Sequence, residues 1–126
     1  SSNVSVWPTE PHANPLRHWF NTLSRLGEKL SDDVLVLPAH GKPFRGAQER
    51  LQTMIKEHQE SLDKLRDFCT QPRRAVDVFP VLFKSKINDG NRMMATGEAL
   101  AHLSYLVHSD ELIVMNKDST NWYQMR

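Results

Sequence analysis

Between two amphipathic stretches stands Val34-Leu35-Val36-Leu37, four apolar residues in a row, followed at once by Pro38-Ala39-His40-Gly41-Lys42-Pro43-Phe44. No other feature of the chain constrains its fold as sharply. A half-exposed strand alternates apolar and polar residues. A continuous, partly β-branched run suits a short strand buried on both faces, as in a layered α/β arrangement. Pro38 ends the run, and Gly41 allows the sharp turn that follows, because glycine reaches backbone conformations closed to other residues.

Helices flank this run. Asn14-Pro15 predicts a helix start, an N-cap with proline at the first helical position. Leu16, Trp19, Phe20, Leu23, Leu26 and Leu30 then recur at steps of three and four, with Arg17, Asn21, Arg25 and Lys29 on the other side. After the His-Gly turn a long helix is expected from about residue 46 to 70. Leu51, Met54, Ile55, Leu62, Leu65 and Phe68 keep its helical period, and His58 shares their face. Beyond the connector Gln71-Pro72-Arg73-Arg74 the pattern predicts a short helix over 77–84 with Asp77 as cap. A further helix is predicted over 92–108, with Met93, Gly97, Leu100, Leu103 and Val107 along one face. Strands at 112–116 and 122–125 follow, around the turn Lys117-Asp118-Ser119-Thr120. The fold class is α+β, mainly helical, and the order helix, helix, hairpin is that of a winged helix.

Composition narrows the function classes. Of 126 residues, 39% are hydrophobic and 25% charged, as in a soluble globular chain, and no apolar run approaches the ~20 residues of a membrane span. Sixteen basic residues against 15 acidic ones leave no cationic excess to displace counterions from nucleic acid. The single cysteine, Cys69, excludes an internal disulfide framework and any multi-cysteine zinc knuckle, and favours a reducing compartment, the cytoplasm. The opening Ser1-Ser2-Asn3-Val4-Ser5-Val6-Trp7-Pro8 reads as the middle of a chain and lacks the pattern of a signal peptide, so a piece of a longer protein is expected.

Six histidines invite a metal hypothesis. His12, His18 and His108 fall at helix ends and read as surface residues. His58 and His102 fall on apolar faces and read as packed core side chains. His40 differs, because it follows a buried strand at the end where α/β sheets place their sites. An imidazole there is placed as a zinc ligand or a general base. A zinc site needs three or four ligands, and no second one is paired with His40 by spacing.

The segment Val34 to Phe44, followed by Arg50 and then Ile55, His58 and Leu62 on a long helix, resembles the C-terminal part of metallo-β-lactamase-fold hydrolases. The branch it resembles carries a C-terminal winged-helix-like extension and includes β-lactamase-like endoribonucleases and glyoxalase-II-like proteins. Gly97-Glu98-Ala99-Leu100-Ala101-His102-Leu103-Ser104-Tyr105-Leu106 resembles the extension's helix, and Ser1 to Pro8 the segment after the family's metal-bridging aspartate. The resemblance implies that residues 1–45 are the remnant of an αβ/βα sandwich and 46–126 a long helix plus winged-helix-like domain. It implies a parent with two zinc ions that hydrolyses an ester, a thioester or a phosphodiester, RNA included. His40 is implied as the terminal metal ligand. The family's His-x-His-x-Asp-His motif does not occur in these 126 residues. The chain alone is therefore expected to be inactive and to bind no zinc stably, its partner being the rest of its own protein.

A second reading is a winged-helix module for nucleic acid or for dimerisation. Residues 71–126 hold seven Lys or Arg against six Asp or Glu, and the helix 92–108 carries Arg92 offset by Glu98. That is poor equipment for sequence-specific DNA binding. Lys42, Arg45 and Arg50, just past His40, are candidates to face an anionic substrate or else form a solvated basic edge. Leu16, Trp19, Phe20 and the 34–37 run are expected to have been built to cover a sheet. In this chain alone they would dock on a second copy or lie exposed.

Overall fold

Pro15 lacks the N–H that a first helical turn leaves unpaired and has its φ already set, so the chain turns helical there. In the computed structural model, which describes residues 3–126, this first helix, α1, runs Pro15–Lys29. The expected opening loop is present from Asn3 onward, while its first residues, Ser1 and Ser2, lie outside the described residues. The second helix, α2, spans Ala47–Phe68. A 3-10 turn, Ala75–Val78, leads into the short α3, Phe79–Leu82, and α4 spans Arg92–His108. Two antiparallel strands close the chain, β1 Leu112–Lys117 and β2 Thr120–Met125. The predicted order and type of these elements hold.

Asp77 does not cap the short helix from its first position. It stands one turn in, where its carboxylate accepts from the Arg74 backbone N–H at 2.8 Å and pairs with the Arg74 guanidinium at 2.7 Å. The turn at Asp118-Ser119 takes positive φ at both residues, 51° and 61°. That is the twist a two-residue hairpin loop requires. Strand β2 is held on both sides: by β1, and by the 69–73 segment through Arg73–Tyr123 bonds of 2.9 and 2.7 Å and Met125 N–H to Cys69 carbonyl at 2.8 Å.

The core sits around α4. Ala95, Gly97, Ala99, Ala101, His102, Leu103 and Leu106 are all buried, so the helix is covered on nearly every side. Leu16 from α1, Leu62 and Leu65 from α2, Val78, Leu112 and Tyr123 pack into the same cluster. Met93, expected on this apolar face, instead points to solvent at 74% exposure, beside Met94.

Two expectations for the first 45 residues change. Leu16 and Leu23 are buried, and Trp19 and Phe20 pack against the core instead of facing solvent. Helices α2 and α4 supply the surface that the sequence reading assigned to a sheet. The 34–37 run, in contrast, is not a strand buried on both faces. Val36 makes one bridge, to Phe44, while Val34, Leu35 and Leu37 are 40, 52 and 74% exposed. An extended run needs neighbouring strands to be covered, and the described residues offer it only the returning loop.

The N-terminal strap is seated on α4 by backbone contact. Val6 N–H donates to the Gly97 carbonyl at 3.0 Å, and Val4 and Val6 are buried. A Cβ on Gly97 would stand 3.0 Å from Ser5 Cβ and 3.2 Å from the Val6 carbonyl oxygen. Here glycine is required by close approach, not by its φ. Gly97→Val should therefore destabilise the chain by about 1–3 kcal/mol in urea denaturation, the usual range for forcing extra volume into a packed site. An unchanged midpoint would mean that the strap does not depend on this seat.

Candidate functional site

The His40 turn is fixed at its base before any side chain at its tip matters. Asp32, in the turn after α1, accepts the Gln48 backbone N–H on its carboxylate at 2.9 Å, and its carbonyl accepts the Gly46 N–H at 2.9 Å. Asp32 thereby caps α2 from 16 residues away, a task that Gly46, in the left-handed conformation at φ 89°, has no side chain to perform. Gln48 returns the favour to α1, its amide donating to the carbonyls of Gly27 at 3.1 Å and Leu30 at 2.7 Å. These are among the carbonyls a helix end leaves unpaired. The Val36–Phe44 bridge, at 2.8 and 3.1 Å, then closes the loop into a narrow hairpin-like turn. Gly41 takes φ 97° at its tip, as the Pro-Ala-His-Gly spacing predicts.

His40 stands at this tip and is exposed. It lines one side of a cleft of about 340 Å³ whose wall also includes Lys42, Phe44, Arg50, Leu51 and Met54. Of the three cations that the sequence groups here, Lys42 and Arg50 meet His40 in the cleft. Arg45 does not: its guanidinium turns back and donates to the Asp33 carbonyl, so it belongs to the base of the loop.

The other histidines fall as expected. His12, His18 and His108 are exposed, His108 bonding to the Ser104 carbonyl at 2.8 Å. His58 and His102 are buried, but the spacing did not announce that they meet. His58 Nδ1 and His102 Nε2 lie 3.0 Å apart across the α2–α4 contact. His102 Nδ1 lies 2.8 Å from the Glu98 carbonyl, which can only accept, so Nδ1 carries the proton and Nε2 accepts from His58 Nδ1–H. Trp19 packs edge-on against His58 with centroids 4.6 Å apart. The 44-residue separation hid this pair; its one signal was that both histidines sat on apolar faces.

Among the described residues, no three His, Cys, Asp or Glu side chains gather closely enough to hold a metal ion. The described residues by themselves therefore do not assemble the three or four ligands that a zinc centre needs.

Residues 62–125, half of the chain, match the family described as metallo-beta-lactamase-like, C-terminal domain. The chain belongs to that family. Structural comparison agrees. A beta-lactamase domain protein from Burkholderia ambifaria is 37% identical with a TM-score of 0.94, and a metallo-beta-lactamase family protein from Thermus thermophilus is 25% identical with a TM-score of 0.81. Each alignment covers 100% of this chain and 38% of the other, so this metallo-beta-lactamase-like domain spans well under half the length of these relatives. No curated protein matches by sequence. No described helix is long and apolar enough to cross a membrane.

The buried pair makes a pH prediction. Burial, with a smaller contribution from neighbouring His58, lowers the His102 pKa from 6.5 to about 4, and burial lowers that of His58. Between these values the unfolded chain binds a proton that the folded chain refuses. Stability is fully present above pH 6.5 and is lost as the pH falls toward 4. His102 alone should cost about 2 kcal/mol of unfolding free energy between about pH 7.5 and 5. Urea denaturation across this range measures it. His102→Gln should flatten the slope, and a wild-type profile already flat would refute the assignment.

Proposed function

We propose that this domain is the C-terminal portion of a metal-dependent, dizinc hydrolase of the metallo-β-lactamase fold, acting on an ester, thioester or phosphodiester. The observation that carries the reading is the His40 turn: a lone, exposed imidazole held at the tip of a closed loop in a chain of this family. Nothing in the described chain engages that imidazole by hydrogen bond, while the base of its loop is braced by the hydrogen bonds of Asp32, Gln48 and the Val36–Phe44 bridge. Rigid presentation of a side chain with no structural duty of its own is what a ligand position needs. In this reading His40 is the terminal ligand and the remaining ligands come from outside residues 1–126. The chain alone is then inactive and holds no zinc stably. When bound, zinc would supply Lewis acidity toward the scissile bond.

Residues 1–45 act as the edge of the catalytic sandwich, with exposed Leu26, Val34, Leu35 and Leu37 covered by the rest of the protein. Residues 46–126 form a winged-helix-like accessory domain flanking the substrate. Buried, unpaired Cys69 suits a reducing compartment, and we assign the protein to the cytoplasm. The alternative, a sequence-specific DNA reader, is disfavoured by α4. A recognition helix must offer one face to the major groove, and α4 is covered along most of its length.

Metal analysis of the protein expressed with its upstream coding sequence tests this reading. Two zinc ions per chain are expected, and His40→Ala should lose at least one of them. Its hydrolytic efficiency should fall at least tenfold, since even outer-shell changes cost ~10–100-fold. Undiminished zinc in His40→Ala would overturn the reading whatever the activity.

A further inference from the structure

The cleft beside His40 has a composition that packing does not explain. Its wall combines apolar Phe44, Leu51 and Met54 with Lys42 and Arg50, and contains no carboxylate. Four arginines are neutralised by carboxylates, Arg66 by Glu111 and Asp63, Arg74 by Asp77, Arg92 by Asp89 and Arg126 by Asp110, and three more are engaged by neutral groups, Arg17 by Ser109, Arg45 by the Asp33 carbonyl and Arg73 by the Phe68 carbonyl. Lys42 and Arg50 make no ion pair among the described residues. The nearby acids are turned elsewhere, Asp32 to the Gln48 N–H and Glu49 back toward Gly46. Two cations in the wall of one apolar cleft would both attract an anion seated in it.

We propose that this cleft binds an oxyanion carried on an apolar group, with Lys42 and Arg50 as the specificity-determining residues. Arg50, with its planar fork of donors, engages two oxygens of a phosphate or carboxylate at once. Lys42 contributes a point charge, and the adjoining carbon skeleton rests on Phe44, Leu51 and Met54. Arg45 has no part in it, being committed to the Asp33 carbonyl. In naming this ligand as the substrate's anionic end, the proposal rests on the hydrolase reading. As a binding site it stands on the cleft alone.

The test is a titration of the 15N-labelled chain, kept metal-free with EDTA, using phenyl phosphate, benzoate and neutral phenol as probes. At least one anion should shift the amides of residues 40–44 and 47–54 saturably, less so at high salt, while phenol at equal concentration should not. A response to phenyl phosphate alone assigns the site to phosphate esters, and a response to benzoate alone to carboxylates. Lys42→Ala and Arg50→Ala should each weaken binding about two- to fivefold, as expected for exposed charge contacts. Arg45→Ala should leave binding unchanged, and Arg50→Gln replaces Arg50→Ala if the latter loses its helical circular dichroism. Equal shifts from phenol, equal loss from Arg45→Ala, or no shift with either anion would overturn the proposal. If anion binding fails while His40→Ala still loses zinc in the longer protein, the cleft is wrong and the hydrolase reading stands. If anions bind and His40→Ala keeps its zinc, the hydrolase reading fails and the cleft stands.

Discussion

Burial of α4 on nearly all sides is the constraint on which the rest of the structure depends. A helix approached from several directions must be small where its neighbours come close, and α4 is small at Ala95, Gly97, Ala99 and Ala101. Gly97 admits the strap, and the alanines admit the flanking elements. Leu103 and Leu106 supply the bulk that fills the space left between them. The same economy brings two histidines together: with so much of the helix enclosed, His102 has no route to water and must find its partner in the core. Such a pair stabilises the neutral form of both rings and ties the fold to neutral or alkaline conditions.

From that packed centre the order reaches outward to the site through hydrogen bonds more than through apolar contact. The α1–α2 junction exchanges polar groups, Asp32 to the start of α2 and Gln48 to the end of α1, each satisfying backbone groups that helix termini leave open. The loop between them inherits their rigidity. His40 therefore sits on a loop whose two ends are fixed by α1 and α2. Arg66 plays a matching part at the hairpin, its guanidinium bridging both oxygens of Glu111 at 2.7 and 3.1 Å and pinning the entry of the hairpin to α2.

Much of this was legible in the sequence. Helix periodicity, Asn14-Pro15 and the terminal hairpin pattern located the elements to within a few residues, because spacing and turn chemistry act locally. The His-Gly turn and the lone status of His40 could be read for the same reason. What spacing could not show were the relations between distant residues: His58 with His102, Arg45 with Asp33, Asp32 capping a helix 16 residues on. The face of α1 was misjudged because periodicity says that a face is buried, not against what. The 34–37 run lies exposed, as expected for this chain alone, but is not the doubly buried strand its composition suggested, because that composition records a burial the described residues do not supply.

The base of the His40 loop is closed largely by main-chain groups, at Val36–Phe44 and Asp32–Gly46, and those bonds are indifferent to what side chains lie between them. A turn built this way separates inheritance of shape from inheritance of chemistry. Among the described residues no side chain of 38–43 makes a hydrogen bond or ion pair to the helices that carry the loop, and Gly41 is set apart by its φ of 97°. A scaffold of that kind lets new preferences arise at the tip while old stability is retained beneath it, and it shows protein engineers where to look first.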